Sequence, residues 1–125
     1  MTNGFRVDVR PEYLPDHSRP DRNKFVFGYR VRITNEDGQR ARLRSRHWVI
    51  VDADGDRHDV VGEGVVGHQP DLAPGQTFEY TSYCPLETPW GTMEGRYTFI
   101  AEDGESFDIT VARFYLVSAE IEAKG

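Results

Sequence analysis

Residues able to do chemistry concentrate between positions 45 and 67, SRHWVIVDADGDRHDVVGEGVVG, with His68 directly after. Three patterns overlap there. Gly62, Gly64 and Gly67 have the GxGxxG spacing of a phosphate cradle. Asp52, Asp54 and Asp56 alternate like the carboxylates of a calcium loop, and His47, His58 and His68 supply imidazoles at intervals of eleven and ten. A motif carries chemistry only in the structural context that its mechanism needs.

None of the three finds that context. A GxGxxG cradle works because a helix follows and presents free N–H groups to pyrophosphate. Here His68-Gln69-Pro70 follows, with Pro74-Gly75 close behind, and Glu63 puts a negative charge inside the cradle. A kinase-type glycine loop lacks its lysine strand and catalytic aspartate loop. A sharply bent strand connection remains, with at most a weak anion site on the backbone of Gly62, Gly64 and Gly67. The aspartates fail as an EF-hand because the sixth position is Arg57 instead of glycine and the flanks read as strands. They read as a solvated Asp-Gly turn, with Asp52, Asp54 and Asp56 as weak ligands for a divalent cation. The histidines have no thiolate partners and no helix to gather them, so zinc or cobalt would need strand pairing to converge them. Cys84, alone and beside Pro85, reads as a small buried hydrophobe. No Ser/His/Asp order, acid pair or cofactor lysine stands out. The expectation is a chain that is not an enzyme and binds no cofactor.

The elements that must position these residues are strands. Phe5, Val7 and Val9 alternate with charged residues, as do Val31 and Ile33 with Arg30 and Arg32, the period-2 signature of half-buried strands. Glu36-Asp37-Gly38 reads as a turn, and apolar parity on either side of it predicts a hairpin with an odd loop and a G1 bulge at Gly38. That hairpin would gather Arg30, Arg32, Arg40, Arg42, Arg44 and Arg46 on one face, which Arg6 and Arg10 could extend if the first strand pairs nearby. The unbroken apolar run from Trp48 to Val51 predicts either a strand buried on both faces or a bulge near 45–47. The turn Glu102-Asp103-Gly104 predicts a second odd loop, with Tyr97 and Phe99 on the side of Phe107, Ile109 and Val111. Trp48 should be buried. Trp90, in a proline-bracketed loop over 84–91, should be exposed and available for contact. No window carries a helical period, and only 118–124 could wind a turn. An all-β, immunoglobulin-like sandwich of about seven to eight antiparallel strands follows.

With 125 residues the chain reads as one domain, 1–125. The net charge of −6 argues against general nucleic-acid binding, which needs local positive charge. One cysteine excludes an intrachain disulfide. The start MTNGFRVDVR has no apolar core of a signal peptide, and no run approaches a membrane span. These features point to a cytoplasmic protein. In so acidic a chain, segregated arginines suit a docking face for an acidic partner, since guanidinium forks match carboxylates and phosphates. The bland alternative is a solvated sheet face neutralised by neighbouring acids.

Four stretches, SRHWVIVDADG, VVGEGVVGHQPDLAPG, FEYTSYCPLETPWGTMEG and FDITVARFYL, together resemble the ApaG family of small bacterial proteins, in order and over nearly the whole chain. The resemblance implies a fibronectin-type-III-like sandwich. It also implies kinship with domains attached to F-box proteins and to a polymerase-delta-interacting protein, where the role is protein binding. The family name is associated with cobalt and magnesium tolerance, and no enzymatic activity comes with it. Fibronectin-type domains place a tyrosine shortly after a Leu-x-Pro-Gly turn. Here Leu72-Ala73-Pro74-Gly75 is followed by Phe78, with Tyr80 two residues on, so the packing role should survive without the hydroxyl bond. The function so implied is a protein-interaction module. The alternative is a binder of phosphate-bearing ligands or divalent metal.

Overall fold

Alternating apolar residues give eight strands in the computed structural model, which describes residues 3–36 and 38–118. They are β1 (Phe5–Tyr13), β2 (Phe25–Asn35), β3 (Ala41–Asp52), β4 (Arg57–Glu63), β5 (Asp71–Leu72), β6 (Thr77–Leu86), β7 (Trp90–Ala101) and β8 (Ser106–Val117). Two single 3₁₀ turns, Pro15–His17 and Pro20–Arg22, fill the connection from β1 to β2. The helical turn expected at 118–124 lies, beyond Ser118, outside the described residues.

The strands form a β-sandwich. One sheet has the order β1-β2-β6, and the other β4-β3-β7-β8 with the short β5 also on β3. All pairings are antiparallel. Phe5, Phe27, Val31 and Ile33 from the first sheet meet Leu43, Tyr97, Phe99 and Ile109 from the second in one core. Burying a large apolar side chain contributes about 1.5–3 kcal/mol, which lets a chain this size hold together by packing.

The expected hairpin between β2 and β3 does not form. After β2 the chain crosses to the other sheet, and β3 pairs with β4, β5 and β7. Phe27, Tyr29, Val31, Ile33 and Leu43 are nonetheless all buried. Each strand turns its apolar side to the same core from opposite sheets, so the parity that suits a hairpin suits a crossover equally well. Asn35, fully buried, fastens the crossing. Its Nδ2 donates to the carbonyls of Gln39 and Leu72 at 3.0 Å each, and its Oδ1 accepts from the Gly38 N–H at 2.8 Å. Gly38 is needed for room, since a Cβ there would lie 2.6 Å from the Asn3 carbonyl oxygen.

The odd loop at 102–104 does form. Gly104 takes φ +89, and Tyr97 pairs with Ile109 and Phe99 with Phe107, on the shared side expected. The bulge in β3 is also present, between Leu43 and Ser45. It inserts Arg44 and inverts the face of every residue after it, so odd-numbered Leu43 and even-numbered Trp48 are both buried.

Candidate functional site

The fold divides the arginines expected on one face. Arg30 and Arg32 stand on the outer surface of the three-stranded sheet, whereas Arg42 and Arg44 are exposed on the other sheet. Arg40, just before β3, lies 3.2 Å from Asp71 and 3.7 Å from Glu102. Arg46, past the bulge, is opposite buried Tyr97. No single six-arginine face exists, because β2 and β3 belong to different sheets and the bulge turns Arg46 inward.

A smaller basic surface takes its place. Register sets Arg10 on β1 directly opposite Arg30 on β2, and Asp8 opposite Arg32. Across β2, Thr81 is opposite Arg30 and Glu79 opposite Arg32. Glu79 is shared, with Arg30 at 2.8 Å and Arg32 at 3.4 Å. Arg6 reaches Asp8 at 3.2 Å and Glu36 at 3.8 Å. Arg10 has no ion pair among the described residues. Thus Glu79 neutralises both Arg30 and Arg32, Asp8 neutralises Arg6, and of these four guanidinium groups Arg10 alone, opposite Arg30, has no acid of its own among the described residues. Between them lies an open depression of about 540 Å³, lined by Arg6, Asp8, Val9, Arg10, Arg30, Arg32 and Glu79. Like charges directly opposite on paired strands are destabilising, so the Arg10–Arg30 pair gains from any anion that settles on it. Sequence alone marked Arg10 only on condition that the first strand pairs beside the second, which it does.

The glycines serve a bend. Gly62 lies under the guanidinium of Arg46, where a Cβ would come within 2.9 Å of Nη1. Gly64, at φ +61, turns the chain off the edge of β3 and donates its N–H to the Arg44 carbonyl at 2.8 Å. Val65 plugs the core and exchanges both backbone bonds with His68 at 2.8 Å. Val66 (φ 44) and Gly67 (φ 81) are the two turn residues between them, the left-handed pair of a type I′ turn. The amides of Gly64 and Val65, which a phosphate cradle would need, are therefore spent within the chain.

Asp52, Asp54 and Asp56 do come together, each with a carboxylate oxygen within 4.8 Å of the others. Asp52 is buried, and its Oδ1 accepts the N–H groups of Asp54 at 2.9 Å and Asp56 at 3.0 Å. That shapes the β3–β4 hairpin around Gly55 at φ +86. The histidines stay apart. His47 bonds Asp59 at 2.8 Å, and His68 packs beside Phe78. His58, opposite Ile50, points to the other face of the sheet from His47, which stands on β3 opposite Val61. Asp59 also takes a forked pair of bonds from Arg57 at 2.7 and 3.0 Å. The Arg57 fork first, and His47 second, hold its carboxyl well below the usual carboxylate range. Burial pushes the Cys84 thiol up to about 11, far from a nucleophile's range.

Two further expectations are resolved. Tyr80 occupies the corner after the Pro-Gly turn and does keep a hydroxyl bond, to the buried hydroxyl of Tyr97 across the core instead of to backbone. Trp90 begins β7 instead of sitting in a loop, because β6 runs on through Pro85 to Leu86 as an edge strand. It is still 39 % exposed against 3 % for Trp48.

A family model described as the ApaG domain matches residues 15–101. The chain belongs to the ApaG family. The ApaG protein of Anaeromyxobacter dehalogenans is 52 % identical over 117 residues, covering 94 % of this chain and 92 % of that one. The ApaG protein of Bdellovibrio bacteriovorus is 51 % identical over 114 residues, covering 91 % and 90 %. The crystal structure of a Bordetella pertussis protein described as ApaA superposes with a TM-score of 0.89 at 49 % identity, covering 92 % of this chain and 94 % of that one. An X-ray structure of a structural-genomics target, SoR45, gives a TM-score of 0.89 at 37 % identity, covering 97 % and 92 %.

Proposed function

We propose that this ApaG-family protein is a non-enzymatic interaction module, and that it docks an acidic protein segment on the outer face of β1-β2-β6. The observation that carries the reading is Arg10, directly opposite Arg30 and without an ion pair among the described residues, in a chain of net charge −6. Guanidinium groups there offer forked donors to carboxylates, and Thr81, opposite Arg30, adds a hydroxyl. Tyr83, exposed on this same face opposite Gly28, is of the type that anchors protein interfaces, whereas Trp90 and Tyr115 are exposed on the other sheet. A cytoplasmic setting fits a lone, buried cysteine. The cobalt and magnesium tolerance associated with the family name would then be an indirect outcome of binding a partner.

The second reading is a phosphate-bearing small ligand, and the same arginine pair favours it, since it suits a phosphate as well as carboxylates. The glycine stretch and the aspartate hairpin support it less, because the Gly64 and Val65 amides and Asp52 Oδ1 already serve the fold.

The test is fluorescence anisotropy with a labelled poly-glutamate peptide, competed by pyrophosphate and ATP, at low and physiological salt. Binding should weaken as salt rises, because exposed charges are screened within about 8–10 Å. Charge reversal at Arg10 and Arg30 should abolish it, while reversal at Arg42 and Arg44 should leave it unchanged. Equal loss in both pairs of variants would reduce the effect to net charge and remove the site. Competition by ATP at lower concentration than by unlabelled peptide would favour the small-ligand reading.

A further inference from the structure

Strand β4 is an open edge of the five-stranded sheet and pairs with β3 alone. Every residue of it is exposed except half-buried Gly62, and Val61 and Val60 are 70 % and 39 % exposed. Antiparallel ladders alternate the direction of their backbone groups. Asp52 donates to the Asp56 carbonyl, and Gly64 donates to that of Arg44, so even-numbered positions of this strand bond to β3. The odd-numbered residues Arg57, Asp59, Val61 and Glu63 therefore aim their N–H and C=O groups at the open edge. Such an edge is a template for another strand. The Glu63 carbonyl takes one bond from Arg46 Nη1 at 3.2 Å and keeps a second lone pair.

We propose that β4 pairs antiparallel with β4 of a second copy of this chain, about a twofold axis through Val60. This register sets Arg57 opposite the partner's Glu63 and Asp59 opposite the partner's Val61, and the symmetry repeats both pairs. All four edge-directed residues are then engaged. Moving the axis to Asp59 sets that carboxylate against its own copy and leaves Glu63 unpaired. Moving it to Val61 sets Asp59 against the partner's Glu63 and leaves Arg57 unpaired. Like charges directly opposite are destabilising and opposite charges stabilising, so the charge sequence of β4 selects the Val60 register over its neighbours. Val60 then meets its copy at the axis, and Val61 lies diagonal to its copy on the outer face, which covers two exposed valines per chain.

Two features leave the charged ends free to pair. Glu63 has no ion pair among the described residues. Arg57 holds Asp59 through Nε and Nη2, so its Nη1 remains for the partner's Glu63. The face of β1-β2-β6 lies on the other sheet and stays open in such a dimer.

Sedimentation equilibrium across a concentration series tests this directly. The wild-type chain should show a reversible monomer–dimer equilibrium. Val61→Pro should be monomeric with its low-concentration melting temperature retained, because the Val61 N–H serves no intrachain bond and proline is tolerated where the N–H faces outward. Arg57→Glu and Glu63→Arg should each weaken dimerisation roughly ten-fold or more, and the double swap should recover it. A wild-type chain that stays monomeric at the highest concentration reached overturns the proposal. So does a Val61→Pro variant that still dimerises, or a double swap no better than its singles.

Discussion

Arg46 donates from Nη1 to the Gly64 carbonyl at 2.8 Å and to the Glu63 carbonyl at 3.2 Å. The Leu43/Ser45 bulge turns this side chain under β4, and Gly62 leaves the space it lies in. The GxGxxG stretch therefore holds a guanidinium through its carbonyls, the reverse of holding a phosphate through its amides. Gly64 and Gly67 hold the chain in conformations that side chains rarely adopt.

Gly64 and Gly67 should consequently differ in their tolerance of alanine. At Gly64 an added Cβ would collide with the His68 carbonyl at φ +61. Strain and clash together should cost about 3 kcal/mol. At Gly67, φ +81 in open space, only the backbone penalty of about 1 kcal/mol applies. Arg46→Met, which strands the part-buried Gly64 carbonyl, should cost about 1–3 kcal/mol. Urea denaturation of the three variants checks the order. Equal midpoints for Gly64→Ala and Gly67→Ala would contradict it.

How far the sequence disclosed this arrangement depended on the range of the contacts. The Ala101–Glu105 connection is local, so its turn letters and strand parity determine each other, and the pairing of Tyr97 with Ile109 was readable. The β2–β3 connection has the same kind of letters, yet it crosses between sheets. Inner-face parity is indifferent to that choice, since Ile33 and Leu43 reach the core either way. The arginine grouping inherited the ambiguity and fell with it. Arg46 was misplaced for a separate reason. A one-residue bulge reverses every later side chain, and the apolar run after it announced a bulge without fixing its position at Arg44. The Arg10–Arg30 pair became visible only once the β1–β2 register was known.

The tryptophans should separate sharply in a stability measurement. Trp48 stands edge-on to Tyr29, Tyr97 and Phe114, with ring centroids 5.7, 5.8 and 5.9 Å away. Trp48→Ala should cost about 3–5 kcal/mol through the cavity it leaves. Trp90→Ala, on the outer face, should stay within about 1 kcal/mol of the parent. Intrinsic fluorescence should agree, with acrylamide quenching Trp90 and sparing Trp48. A Trp90 variant as unstable as the Trp48 variant would assign that ring to the core and withdraw it as a contact residue.

Alkaline pH should unfold the protein. Burial raises the pKa of Tyr29, Tyr80 and Tyr97, and that of Cys84 to about 11. Each is neutral when folded and loses its proton more readily when unfolded, so folding holds on to protons in this range. Stability from these groups is complete below their unfolded values, near pH 8.5 for thiol and 10 for phenol. It falls as pH rises through the folded ones. Absorbance at 295 nm should show the buried phenols ionising together with loss of the near-ultraviolet circular dichroism signal. Independent, graded titration of all six tyrosines in a still-folded protein would contradict this.

Val66 is the last residue to test, because the turn it occupies suits it poorly. A β-branched side chain at φ 44 crowds its own backbone, and left-handed conformations cost residues other than glycine, asparagine and aspartate about 1–2 kcal/mol. Its side chain is half exposed, so little burial offsets that strain. Val66→Asn would create Asn-Gly, the dipeptide that type I′ turns favour most. The variant should gain about 1 kcal/mol, which raises the melting temperature of a domain this size by a few degrees. An unchanged or lower melting temperature would mean that contacts of the Val66 methyl groups outweigh its backbone strain. The control is Val66→Ala, which keeps a Cβ in the strained conformation and should recover less than the asparagine does. If alanine equals asparagine, the crowding comes from the branched side chain alone and the turn itself is unstrained.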